Sequence, residues 1–281
     1  MNSPFRNSVA VRFLPMLAML AVSAAGQAPE TPEGKFDEQV RIPAGEFIFG
    51  DGTTAKTGEF SIDKYEVTIG QYAKFVEWLE QNKDQQHVFD HPRQPAKLSH
   101  VPDFWPIYYG QARRGGAAHS SPISLHSPMM ALTWWDAYAY AKWTGRDLPT
   151  ELEWEKAARG EKGSVFPWGD EADLRRANTN ADYDERHPGA LASIDGSNYW
   201  GDVDKHGDDK SPYGVIGMAG NVSEWVGDWV DRHPVIKGGN FTIALQPSSA
   251  RIVNRLPEDA QEFIGFRTIS RTPVAKSPPS P

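Results

Sequence analysis

Apolar residues recur at helical spacing in three places, and each stripe is opened by a threonine with a polar partner three positions on. Thr68, paired with Gln71, opens Ile69, Tyr72, Phe75, Val76 and Leu79; Thr133, paired with Asp136, opens Trp134 to Trp143 and stops at Gly145; Thr150, paired with Glu153, opens Glu151 to Arg159 and stops at Gly160. A hydroxyl that accepts from the third backbone N–H, answered by a side chain reaching back to the cap, is a helix start, so three capped helices are predicted. Arg41 to Phe49, Ser61 to Val67, Val235 to Phe241 and Phe263 to Ser270 are rich in β-branched and aromatic residues and predict strands. Residues 84–128 and 161–212, dense in Gly, Pro, Asp, Asn and His, predict long irregular connections of the kind that carry function. The pattern describes an α+β domain with modest regular structure.

The two ends read differently. Arg6 and Arg12 lead into an apolar run, Phe13 to Val22, followed by the small residues Ser23 to Gly26, which predicts a cleavable Sec-type export signal over 1–26 and a periplasmic destination. The run is too short to span a bilayer, which takes ~20 residues. A flexible segment over 27–39, one domain over 40–271 and a flexible proline-rich tail over 272–281 complete the expected organisation. Losing Arg6 and Arg12 with the signal changes the net charge from −8 to −10, because no acidic residue precedes Glu30. An acidic chain is poorly matched to nucleic acid or to an anionic membrane surface. With no cysteine at all, it has no disulfide framework, thiol nucleophile, iron–sulfur cluster or thiolate-bound zinc or copper.

The stretch Tyr213-Gly-Val-Ile-Gly-Met-Ala-Gly-Asn-Val-Ser-Glu-Trp-Val-Gly-Asp-Trp229 places glycines, a carboxylate and two tryptophans at fixed offsets, a composition of turns and close backbone approaches rather than of a helix. It stands in a series with Ile42 to Phe47, Asp63 to Thr68, Pro128 to Trp143, Gly145 to Gly160, Phe166 to Glu171, Lys237 to Phe241 and Gly265 to Arg267. Taken in that order, these motifs resemble the formylglycine-generating enzyme / sulfatase-modifying factor family across about residues 40 to 270.

The resemblance implies a single-domain variant of the C-type-lectin-like fold stabilised by structural calcium. It places calcium ligands at the carbonyls of Ala219, Gly220 and Val222 with the Glu224 carboxylate, and at a second site using Asn178 and the carbonyl of Thr179. The alternative for Glu224 is a turn cap or a partner for an arginine. The family's two copper-binding cysteines align with Ile243 and Ser248, which cannot replace thiolates for copper, so no copper and no formylglycine formation are expected. Among relatives, a cysteine-less exported chain resembles those that finish the chromophore of the siderophore pyoverdine. That implies oxidation of dihydropyoverdine, a small peptide siderophore precursor, in a cleft lined by Trp225, Phe241, Ser248, Arg251 and Arg255, the last three being candidates for the chemistry. A non-catalytic lectin-like binding module, or an accessory factor for another exported enzyme, remains open beside it.

Several other residues have structural readings. His87 and His91 share metal-like spacing, but Pro92 disfavours a helix there and no third ligand is evident, so they read as loop histidines. His100, His119 and His126 are loop residues able to act as acids or bases. Trp134, Trp135, Tyr138, Trp143 and Trp154 read as core, and Arg146, Arg159 and Arg267 as partners of internal carboxylates such as Glu153 or Glu155. The sequons at Asn221 and Asn240 fall inside motifs and read as chance matches.

Overall fold

All three threonine caps form, and they set the helical frame. The computed structural model describes residues 34–271 apart from 97, 185 and 188–192; the export signal expected over 1–26, residues 27–33 and the expected tail over 272–281 lie outside the described residues. Thr68, Thr133 and Thr150 accept from the N–H three residues on, and Gln71, Asp136 and Glu153 return the bond, starting helices α1 (Ile69–Gln81), α3 (Trp134–Trp143) and α4 (Glu151–Arg159). Helix α2 (Trp105–Ala112) lies inside the stretch expected to be irregular. It has no side-chain cap and a proline in its first turn, and aromatic pairs four apart, Phe104 with Tyr108 and Trp105 with Tyr109, support it instead. No helix among the described residues is long and apolar enough to cross a membrane.

The strands are shorter than the runs that predict them. Arg41 to Phe49 divides at Pro43 into β1 (Gln39–Ile42) and β2 (Gly45–Phe49), and β2 forms a hairpin with β3 (Thr53–Thr57). Strand β4 (Phe60–Asp63) pairs antiparallel with β1 on one side and with β11 (Ile269–Arg271) on the other, so the first and last strands of the domain share one sheet. A second hairpin joins β5 (Ala117–Ala118) to β6 (Ser121–Pro122). The second main sheet runs β10 (Ile264–Gly265), β7 (Ser223–Val230), β8 (His233–Lys237), β9 (Arg251–Ile252), with only β10 and β7 parallel.

Strand β7 corrects the sequence expectation, because the second half of the glycine-rich stretch is the longest strand among the described residues. Its first four residues, Ser223 to Val226, are all buried, including the serine and the glutamate. Burial on both faces removes the apolar–polar alternation by which a strand is recognised.

The core lies on either side of this sheet. On one side α1 and α3 meet through Tyr72 and Tyr140, stacked at 5.4 Å, with Phe75, Trp143 and Phe266 around them. On the other, Trp154 of α4 packs with Ile62, Val226, Val235 and Ile269. Trp134, Trp135, Trp143 and Trp154 are all buried as expected, with Tyr138 half-buried.

Candidate active site

The glycine-rich corner is built around one buried ion pair. Arg267 donates from Nε to both oxygens of Glu224, at 3.0 and 2.8 Å, and from Nη2 to Oε1 at 2.8 Å, while the Trp154 indole donates to Oε2 at 2.8 Å. Its remaining hydrogens go to the carbonyls of Asp63, Lys64, Ile216 and Gly217. The backbone comes this close only because it carries glycine: a Cβ on Gly217 would lie 2.9 Å from both Glu66 oxygens, and one on Gly220 2.4 Å from the Asn178 carbonyl. Burial pushes Glu66 up to about 8, against the pull of Arg267, and pushes Asp209 up to about 7.

This geometry tests the calcium expectation. Glu224 does not fit it: both of its oxygens are engaged by a guanidinium, which leaves Ala219, Gly220 and Val222 without the ligand carboxylate. The reading of Glu224 as an arginine partner describes what is seen. At the second expected site the free oxygens are Asn178 Oδ1 and the Thr179 hydroxyl, in place of the expected Thr179 carbonyl. Asn178 is fully buried and its Nδ2 donates to the Tyr199 carbonyl and to Asn221 Oδ1, yet its own Oδ1 and the Thr179 hydroxyl have no partner among the described residues. Asp195 adjoins them by accepting from Thr179 N–H, and burial lifts its carboxyl to about 6. Unpartnered oxygens beside a carboxylate are the donor set a hard cation takes.

The expected substrate cleft is not assembled. Trp225 is fully buried with its indole donating to the Leu132 carbonyl, and Phe241 is buried among Tyr183, Tyr199 and Trp200. Both are therefore core residues, a correction that follows from the strand they belong to or flank. Ser248 is also buried, and its hydroxyl has no partner among the described residues. Arg251 is tied to Glu151 at 3.0 Å. Arg255 is half-buried and lies over Phe263, with no ion-pair partner among the described residues.

The arginine expectations are met: Arg146 pairs with Asp63, Arg159 with Glu155 and Arg267 with Glu224. Asn221 and Asn240 are buried, so neither sequon presents an acceptor.

The histidines separate into distinct environments. His87 binds Asp90, and His91 lies among Trp134, Trp135 and Tyr138; no three His, Asp or Glu groups are gathered for a metal among the described residues. His126 rests on Phe36. His100 is buried between two carboxylates, Asp136 at 3.2 Å and Asp90 at 2.9 Å. Burial lowers its pKa, but the two aspartates outweigh it and the net shift is upward from 6.5. A raised imidazole pKa gives stability that is complete below the unfolded value and lost as pH rises through the folded one. Urea midpoints are therefore expected to fall as pH rises above about 6.5 in the wild type, and His100→Gln should flatten that dependence; an unchanged slope would exclude His100 as its source.

His119 sits beside a carboxylate that a phenol also engages. At the tip of the β5–β6 hairpin, its Nε2 lies 2.9 Å from Glu262 Oε1, and the Tyr108 hydroxyl donates to the same oxygen. Its ring is parallel to Tyr199 and edge-on to Trp200. Glu262 precedes Phe263 in the chain, and the Arg255 guanidinium lies over the Phe263 ring. Glu262 and Tyr108 have no signature in the sequence, since each stands more than a hundred positions from its partner. Pro122 of the hairpin, with Ile123, Trp200 and Asp202, lines a cavity of about 480 Å³.

The fold and this corner together define a cysteine-free domain of the sulfatase-modifying factor family. The chain belongs to that family: residues 24–272 match the family model described as Sulfatase-modifying factor enzyme 1-like domain. It is 32% identical over 217 residues to the formylglycine-generating enzyme of Thermomonospora curvata, covering 68% of this chain and 71% of that protein. It is 35% identical over 250 residues to the uncharacterized protein YfmG of Bacillus subtilis, covering 77% of this chain but 47% of YfmG, so the chain spans about half of that relative. Inactive C-alpha-formylglycine-generating enzyme 2 of Bos taurus is 27% identical over 291 residues, covering 91% of this chain and 95% of that protein. Among solved structures, PvdO from Pseudomonas aeruginosa aligns with a TM-score of 0.57 at 21% identity over 83% of this chain and 93% of its own. CarF aligns at 0.54 and 19% identity over 83% and 97%. At these identities the structural likeness concerns the fold.

Proposed function

We propose that this chain is an exported oxidoreductase that converts dihydropyoverdine to the dihydroxyquinoline chromophore of pyoverdine, without the family's copper–cysteine centre. The observation that carries the reading is a family match over residues 24–272 in a chain without cysteine, the resemblance aligning Ile243 and Ser248 with the thiolates that would hold copper. The likeness of fold to PvdO is consistent with it. A catechol-like ring gives up electrons readily, so a protein can act on it by positioning the ring and removing a proton. The precursor loses two electrons and two protons, and molecular oxygen takes them up as hydrogen peroxide. Arg255 is the cation available to hold an anionic group of the substrate. A calcium ion at Asn178 and Thr179 would bind oxygen ligands and stiffen that loop, with no part in the electron transfer.

Purified protein is incubated with dihydropyoverdine under oxygen and chromophore absorbance is followed. Formation is expected at least ~10-fold faster than in buffer, against the 10²–10⁴-fold that positioned acid–base groups commonly supply. No acceleration would remove the assignment, and stoichiometric copper by elemental analysis would contradict the copper-free reaction. The inactive bovine relative supports a second reading, a binding module or accessory factor for another exported enzyme. It predicts saturable association of the precursor, or of a partner protein, with no turnover.

A further inference from the structure

The β5–β6 hairpin turns on His119 and Ser120, whose φ angles are 46° and 62°. A two-residue hairpin with positive φ at both central positions is best served by Asn-Gly or Asp-Gly, since side chains disfavour the left-handed region. A histidine and a serine there hold strained backbone, and such strain collects where a side chain must be held in place. What the turn holds is the imidazole, with Nε2 against Glu262 and its ring parallel to Tyr199 at 6.1 Å. Its side chain nevertheless remains 47% exposed. With Glu262 ionised, Nε2 carries the hydrogen and Nδ1 is the acceptor.

We propose that His119 is the general base of this protein, taking the proton of a phenol or catechol ring at Nδ1 while Glu262 holds Nε2–H and stabilises the imidazolium that forms. This rests on the reading of the chain as an oxidase of an electron-rich ring. The phenolic O–H bond breaks and its proton passes to Nδ1. The phenolate then yields electrons to molecular oxygen; two electrons and a second proton leave the ring in all, oxygen becomes hydrogen peroxide, and the imidazolium returns its proton to water. Tyr108 is a positioning residue, since its hydroxyl fixes Glu262 from the buried side.

The test compares wild type, His119→Gln and the double variant His119→Asn with Ser120→Gly in the dihydropyoverdine assay, with Tm measured for each. His119→Gln is expected to lose about 100-fold in kcat at unchanged Tm and to regain part of it with added imidazole. The double variant gives the turn its favoured residues and is expected to melt about 2–4 °C higher while staying as slow. Wild-type rates in either variant would overturn the proposal. If the wild type itself is silent, the oxidation reading falls separately and catechol becomes the probe. A shift of the His119 ring resonances on adding catechol, absent in His119→Gln, then supports the site, and no shift overturns it.

Discussion

Replacing Arg267 with alanine is expected to destabilise the fold by about 3–5 kcal/mol, the range found when one partner of a buried ion pair is removed. The side chain is fully buried, and it binds both Glu224 oxygens and four backbone carbonyls from two distant parts of the chain. The variant keeps the Glu224 charge with only the Trp154 indole to hold it and leaves the carbonyls of Asp63, Lys64, Ile216 and Gly217 short of a donor. The measurement is the urea midpoint at unchanged slope. A double variant, Glu224→Gln with Arg267→Met, is expected to recover part of the loss because no charge remains buried. If it is no more stable than Arg267→Ala, the carbonyl contacts rather than the charge pair dominate.

Gly239→Ala is expected to come next, at about 3 kcal/mol, the upper end for overpacking, or a fall in Tm of ~6–12 °C. Its Cβ would lie 2.2 Å from the Ala219 carbonyl oxygen, a backbone atom that cannot swing aside. Relief requires parting the loop after β8 from the glycine-rich turn, which are joined there by the Phe241 N–H bond to the Asn221 carbonyl. Gly58→Ala is the control, because nothing lies within 4 Å of its Cβ and its φ is not positive; its Tm should stay within about 1–2 °C of wild type, as ordinary surface substitutions do. Equal shifts in the two variants would show that the close approach at Gly239 carries no weight.

The sequence made legible whatever is local. A threonine and its answering polar residue sit three positions apart, so three helix starts could be read without knowing what packs against them. The family was legible for a related reason, because glycines at 217, 220 and 239 are demanded by close approaches that no other residue permits. Strand β7 was not, since its glutamate faces an arginine more than forty positions away and breaks the alternation that marks a strand. The same burial turned Trp225 and Phe241 from expected substrate contacts into core. His119 could be named as a titratable loop residue, but its partnership with Glu262 and Tyr108 is made only by the fold.

The sheet that joins β1, β4 and β11 sets an order of events for the nascent chain. Strand β4 is flanked by the first strand and by the last, and Asp63 at its end holds Thr268 through both backbone and hydroxyl. Until residues 268 to 271 have been synthesised, β4 has an open edge and Asp63 lacks two of its donors. The longest-range contacts of the domain are thus among its necessary ones, which is the topology of a slow folder. Such a domain closes only when its final strand docks, and until then β4 keeps an unpaired edge on which a chaperone can act.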